Sequence, residues 1–165
     1  MTIKRYLNDR TLAGFMEVVE LLPGEQPIAR FDETWFHPQG GGQKADRGKI
    51  GPTLVVDVRH GENGAVDHYV ESLAGLELGQ THPFTVDEDW RLLNSRFHTG
   101  AHLLVGVVEQ KFPGVTVVGG HQWPGEARVD FEGADFNFVI DRSDELEAAI
   151  QAEIGGVAAA APEGR

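Results

Sequence analysis

The sequence contains no cysteine, and this absence excludes several kinds of site at once. Without thiols the chain forms no disulfide bonds, offers no thiolate nucleophile and holds no cysteine-ligated zinc. Any metal ion must therefore be bound by carboxylates or by the seven histidines among the 165 residues.

Basic residues are also scarce. Against 26 Asp and Glu there are 14 Lys and Arg, which gives a formal net charge of −12 that both halves of the chain share. Because nucleic-acid affinity rests largely on cations that neutralise phosphates, we expect no broad RNA- or DNA-binding surface. Long apolar runs are missing too, and the N-terminus lacks the apolar core of a signal peptide. We therefore predict a cytoplasmic protein with no membrane partner.

Glycine is abundant, and its 21 residues together with eight prolines predict many tight turns. Short apolar runs between turn residues predict strands at 14–22, 54–60, 65–71 and 81–87. The Asn63-Gly64 pair predicts a hairpin turn, and Pro83 predicts a sheet edge or a strand start. Strands at this spacing favour a small barrel or a sandwich.

The pattern changes at Asp87, where apolar residues begin to recur at helical spacing. Asp87 or Asp89 is expected to cap a helix over 90–112 that Pro113-Gly114 ends. Two short strands follow, and Ser143 is expected to cap a second helix over 144–154. No flexible linker is evident, so we expect the two halves to pack directly on one another.

His98 and His102 lie four residues apart in the first predicted helix. This spacing places both imidazoles on one face, close enough to share a metal ion. Zinc usually takes three or four protein ligands, so the pair is half a site. Two histidines that meet polar partners at a domain interface are the alternative interpretation.

A second unusual segment, Pro38 to Gly48, contains Gly40-Gly41-Gly42 followed by Gln43. Three glycines allow close backbone approach and leave N–H groups free to meet an oxyanion or a carbonyl. Gln43 adds both a donor and an acceptor. A plain mobile loop is the alternative, and Asp46 with Arg47 is interpreted as a turn-stabilising pair.

Four blocks in order carry a family resemblance that spans about residues 12 to 154. They resemble the editing domain of alanyl-tRNA synthetase and its free-standing relatives, the alanyl-tRNA editing proteins. The blocks are Thr34 to Gly48, Gly75 to Gly79, His98 to Leu104 and Arg128 to Phe131.

The resemblance implies an α+β fold in which a small N-terminal β-barrel packs on an α+β editing-type domain. The barrel with the glycine-rich loop would cover 1–88, and the editing-type domain, incomplete at its C-terminus, would cover 89–165. In this family a histidine pair and a later Cys-x-x-x-His hold zinc, facing the glycine-rich loop across the pocket for the tRNA 3′ end.

Site residues follow from the same resemblance. His98, His102 and Gln43 would be catalytic, and His98 and His102 would ligate zinc. The substrate pocket would be lined by Gly40, Gly41, Gly42, Gln43 and Thr99, although helix packing is an equal alternative for Thr99.

The chain departs from the family where the metal site should be completed. It has no cysteine and ends before the Cys-x-x-x-His segment, so we expect zinc to be bound weakly or not at all. His121, His37, a carboxylate or a second copy of the chain would have to complete the site. For His37 stacking is the alternative role, and for His121 a hydrogen-bonded or exposed position. The remaining candidates, His60, His68 and His82, are interpreted as surface strand residues.

The resemblance implies metal-assisted hydrolysis of the ester in Ser- or Gly-mischarged tRNA(Ala), with loop N–H groups stabilising the oxyanion. The expected partner is the acceptor end of that tRNA and not DNA, and a homo-oligomer stays open. Two alternatives stay open as well: a non-catalytic binding module of the same fold, and a metal-dependent hydrolase of a small ester or amide. Changes at Arg91, Arg96 or Lys111 are expected to lower RNA affinity only modestly.

Overall fold

The computed structural model describes residues 1–133 and 143–160 and divides the chain into two compact units, with the boundary after Ser95. The first unit holds eight strands and the start of a long helix. These elements are β1 (Ile3–Lys4), β2 (Ala13–Leu22), β3 (Ile28–Phe31), β4 (Glu33–Thr34), β5 (Gly48–Ile50), β6 (Thr53–His60), β7 (Val66–Val70), β8 (Thr81–Val86) and α1 (Glu88–Lys111).

Six strands of the first unit form a closed antiparallel barrel in the order β2-β3-β7-β6-β5-β8, while β1 pairs separately with β4. Inward and outward residues alternate along β2, β6 and β8, as they must when one face of a strand lines a core. The fold is thus α+β with a small β-barrel, as expected. The largest side chains of the barrel core are Met16, Phe31, Phe36, Ile50 and Phe84.

The predicted hairpin joins β6 to β7, which pair antiparallel. Asn63 has φ +53° and Gly64 has φ +77°, and both conformations are left-handed. Asn and Gly are the residues that adopt this region at least cost, which is why the pair identified the turn.

Pro83 was predicted at a sheet edge or a strand start. It is the third residue of β8 in a closed barrel, so it lies at neither, although it comes directly before the residues that pair with β5. β8 pairs with β2 on one side and with β5 on the other. Pairing with β5 ends at Ile50–Phe84, and the Gly51 N–H then donates to the Pro83 carbonyl at 2.8 Å. Proline is tolerated here because the short β5 has already entered its turn, and no ladder bond is required of the Pro83 nitrogen.

Helix α1 begins at its predicted signal. The Asp87 carboxylate accepts the Trp90 N–H at 3.0 Å, so Asp87 and not Asp89 is the cap. The helix ends at Lys111, two residues before Pro113, which cannot continue it.

The second unit contains the rest of α1, a two-stranded antiparallel sheet of β9 (Val115–His121) and β10 (Arg128–Gly133), and α2 (Ser143–Ala160). Its small core consists of Val108, Phe112 and Val115. Helix α2 runs six residues past its predicted end at Ile154 because the alanines after Gly155-Gly156 are strong helix formers. Neither α1 nor α2 has an apolar stretch of the length that a bilayer span needs, and only the described residues were considered.

Candidate functional site

The glycine-rich segment folds into a tight turn. The Gly40 N–H donates to the Gln43 carbonyl at 3.2 Å, and the Gln43 N–H donates to the Gly40 carbonyl at 3.0 Å. The two central residues, Gly41 and Gly42, have φ values of +56° and +82°. Two successive positive φ angles are typical of a type I′ turn and cost little only for glycine and a few small polar residues. The backbone conformation of the turn therefore favours glycine at positions 41 and 42.

The turn uses one of the three glycine N–H groups and leaves two available. Gly40 donates within the turn, whereas the N–H groups of Gly41 and Gly42 have no hydrogen-bond partner among the described residues. Gln43 closes the turn and is buried, with 6% of its surface exposed. Two adjacent free N–H groups on a fixed turn can bind a carbonyl oxygen or an oxyanion.

The base of this segment is held by Asp46. The His37 N–H donates to Asp46 Oδ2, and the Asp46 N–H returns a bond to the His37 carbonyl at 2.9 Å. Arg91 donates through Nε to Asp46 Oδ1 at 2.8 Å, through Nη2 to Asp46 Oδ2, and through Nη2 to the Trp35 carbonyl at 2.7 Å. Asp46 is 1% exposed, so a buried bidentate ion pair fixes both ends of the segment.

This arrangement corrects one prediction. Asp46 pairs with Arg91 and not with its neighbour Arg47, whose guanidinium stacks over the Trp90 ring at 3.8 Å. Arg91 donates to Asp46 and to the Trp35 carbonyl through Nε and Nη2, and the expectation that a change at Arg91 lowers RNA affinity only modestly stays a prediction. The partners lie 45 residues apart in the sequence, so adjacency in the chain was misleading.

His60 is a neighbour of the glycine turn that the sequence did not reveal. It ends β6 and is exposed, as interpreted, but a Cβ placed on Gly40 would lie 3.4 Å from His60 Nε2. The Gln39 N–H bonds to the Val58 carbonyl of the same strand at 2.9 Å, which holds the turn beside the end of β6. Only the pairing of the loop with β6 places His60 there, and no local signal encodes that pairing.

His68 is not a surface residue, and this interpretation was wrong. It is fully buried, its Nε2 lies 2.8 Å from Thr34 Oγ1, and its ring meets Phe31 and Phe36 edge-on. Burial lowers the pKa of His68 to about 4, so the imidazole is neutral at physiological pH. Side chains on both faces of β7 are buried or half-buried. A strand with alternating apolar and polar residues is expected to have one face in solvent, and β7 has none.

His98 and His102 lie on one face of α1, as their spacing predicts. Their Nε2 atoms are 3.1 Å apart and their ring centroids 4.5 Å apart. Within residues 1–133 and 143–160, no group of three or more His, Asp or Glu side chains is arranged to hold a metal ion. The described residues thus bring two imidazoles together, which is fewer than the three or four protein ligands that zinc usually takes.

The remaining candidates are His121, His37 and Thr99. His121 ends β9, where its ring contacts Trp123 at 4.7 Å and its Nε2 lies 3.9 Å from Glu126 Oε1. The His37 ring meets Tyr6 edge-on at 5.2 Å, an aromatic contact. Thr99 is exposed on α1.

Comparisons with known proteins give related sequences, although no protein-family model matches the chain. The alanyl-tRNA editing protein AlaX-M of Saccharolobus solfataricus is 31% identical over 159 residues, which is 93% of this chain and 66% of that protein. AlaX-M of Pyrococcus horikoshii is 40% identical over 79 residues, 48% of this chain and 37% of that protein. Alanine–tRNA ligase of Lactococcus lactis is 31% identical over 149 residues, 86% of this chain and 16% of the ligase. The chain thus spans less than two thirds of the length of each of these relatives.

Proposed function

The chain belongs to the family of alanyl-tRNA editing proteins and alanyl-tRNA synthetase editing domains, and from this membership we propose that it is an aminoacyl-tRNA hydrolase. Its proposed substrate is tRNA(Ala) that carries serine or glycine in place of alanine. The observation that carries the proposal is the similarity to an alanyl-tRNA editing protein over 93% of the chain. The proposed partner is the acceptor end of the tRNA, and a charged-tRNA substrate implies action in the cytoplasm.

The proposed reaction is hydrolysis of an ester. Water attacks the carbonyl carbon that joins the amino acid to the terminal ribose, a tetrahedral oxyanion forms, and the ribose hydroxyl leaves with a proton. We assign the free N–H groups of Gly41 and Gly42 to the oxyanion. Because the turn already holds these donors in place, they need no reorganisation as charge develops.

Discrimination against alanine would rest on Gln43. Its amide is both donor and acceptor, so it can form a hydrogen bond with the serine hydroxyl, whereas the alanine methyl group cannot form one. The Thr99 hydroxyl is a second proposed contact for the same group. Glycine would be accepted through its smaller size.

We propose that His98 and His102 act as a pair at the reacting ester and supply two ligands wherever zinc is bound. Zinc in such a site polarises a carbonyl or activates water. Since the described residues do not complete the site, the proposed steps rely on the protein groups alone. The two imidazoles, 3.1 Å apart, can hold and move one proton between them.

A deacylation time course tests the proposal. Ser-tRNA(Ala) and Gly-tRNA(Ala) should lose their amino acid, whereas Ala-tRNA(Ala) should persist at the rate in buffer. His98→Ala and His102→Ala should each abolish the reaction, with His82→Ala as the matched control. Absence of hydrolysis by the unmutated chain, even with added zinc, would refute the activity, and full activity of both variants would refute the role of the pair.

A further inference from the structure

Four of the nine basic side chains of the first unit form ion pairs with carboxylates, whereas two that are near neighbours in the chain do not. Arg47 and Lys49 are exposed, and neither has a carboxylate within ion-pair distance among the described residues. The paired cations are Arg5 with Glu33, Arg30 with Glu20 and Asp67, Arg59 with Asp57, and Arg91 with Asp46.

The two free cations lie close together at the start of β5. Arg47 comes directly before β5 and Lys49 is its second residue, with Gly48 between them. Both line a groove of about 770 Å³ on the outside of the barrel. The exposed apolar side chains of Leu54 and Val56 form part of the same groove.

The guanidinium of Arg47 is held in one orientation by an aromatic ring. Its guanidinium stacks on the Trp90 ring at 3.8 Å, and the Trp90 Nε1–H is itself fixed by a 2.8 Å bond to the Ala45 carbonyl. Stacking occupies a face of the guanidinium and leaves its in-plane N–H donors free. In-plane donors match two oxygens of one phosphate, and a stacked side chain loses less freedom when they bind.

We propose that this groove binds the sugar-phosphate backbone of the tRNA acceptor arm, an inference that rests on the proposed function. Arg47 and Lys49 contact phosphates, while Leu54 and Val56 lie against the apolar faces of sugars or bases. A chain of net charge −12 can hold RNA only where cations are free of carboxylates, and this groove concentrates two of them. Asp87 also lines the groove, and its N–H donates to the Arg47 carbonyl at 2.8 Å. Its carboxylate accepts the Trp90 N–H and forms no ion pair with Arg47 or Lys49 among the described residues.

Binding of uncharged tRNA(Ala) at several salt concentrations tests the groove without reference to catalysis. The double variant Arg47→Gln, Lys49→Gln should bind roughly tenfold more weakly, and the slope of log K against log salt should become shallower by about 1.5. Arg10→Gln, which removes an exposed cation outside the groove, should match the unmutated chain. Lys49→Gln alone should give about half of the slope change. Among the described residues no aromatic ring stacks on Lys49, so this variant separates RNA contact from loss of packing. Equal binding by all four proteins, or no tRNA binding by the unmutated chain, would overturn the proposal.

Kinetics separate the groove from the catalytic proposal. With mischarged tRNA the double variant should show a KM raised roughly tenfold and an unchanged kcat. With 2′(3′)-O-seryl-adenosine, which has no phosphate, it should equal the unmutated chain. If neither substrate is hydrolysed by any protein while the binding difference persists, the editing activity is refuted and the groove stands. A kcat loss on the phosphate-free substrate would contradict an RNA-docking role.

Discussion

Arg91 and Asp46 form a buried bidentate ion pair that connects the first turns of α1 to the end of the glycine-rich segment. Asp46 also accepts the His37 N–H, so a single carboxylate joins the helix to both ends of the loop. The conformation of the Gly40–Gln43 turn therefore depends on a charge pair outside it.

Removing one member of this pair should destabilise the first unit strongly. Arg91→Met leaves the Asp46 carboxylate buried and unpaired, and we expect the free energy of unfolding in urea to fall by about 3–5 kcal/mol. Arg96→Met changes an exposed arginine of the same helix that has no ion pair among the described residues, and it should shift stability by less than about 0.5 kcal/mol. Similar losses in both variants would show that the ion pair contributes nothing special.

Substitution at Gly42 should affect both stability and turnover. Gly42→Ala forces a side-chain-bearing residue to φ +82° and should cost about 1–2 kcal/mol. By displacing a proposed oxyanion donor it should also lower kcat on Ser-tRNA(Ala) by roughly tenfold to a hundredfold. Gly24→Ala, at an open position where φ is not left-handed, is the control. An unchanged kcat in a destabilised Gly42→Ala protein would remove the turn from the mechanism.

Acid should destabilise the barrel through His68. Burial holds the folded-state pKa near 4, whereas the unfolded chain titrates near its ordinary value of 6.5. Below about pH 6.5 the unfolded state binds a proton that the folded state refuses, so stability falls as the pH drops and levels off near pH 4. The loss attributable to His68 is about 3 kcal/mol.

Urea unfolding between pH 4 and pH 7.5 measures this loss. His68→Gln should be less stable at neutral pH because it loses the hydrogen bond between the His68 ring and the Thr34 hydroxyl. Its stability should fall less steeply below pH 6.5. Parallel pH profiles for the two proteins would show that His68 does not titrate abnormally.

Zinc should be held weakly. Two imidazoles without further ligands do not retain zinc against dialysis, so elemental analysis should find well under one equivalent in the unmutated protein. In the His98→Ala variant, even this small amount of zinc should fall to background. Stoichiometric zinc that disappears in His98→Ala would instead show that a further side chain or a second copy of the chain completes the site.

The sequence predicted those features that depend on residues close together in the chain. Asn63-Gly64 identified the hairpin, Asp87 the start of α1 and Pro113 its end, because a turn or a cap is decided within about four residues. The pairing of Arg91 with Asp46 and the approach of His60 to Gly40 depend on the closure of the barrel and escaped prediction. His68 and Pro83 were misplaced for the same reason. When the barrel closes, strands that lie far away in the sequence cover positions that the local pattern assigns to a surface or an edge.

Barrel closure also has a consequence for self-association. Each barrel strand has a partner on both sides, whereas in the second unit β9 and β10 have only each other among the described residues. Strands with an unpaired side are templates for pairing with another chain, and β9 presents Val117 and Val118 at 39% and 56% exposure. In a partly unfolded or concentrated sample, intermolecular strand pairing would therefore begin at a strand outside the barrel, with β9 as the long strand that exposes apolar side chains, and would leave the barrel intact.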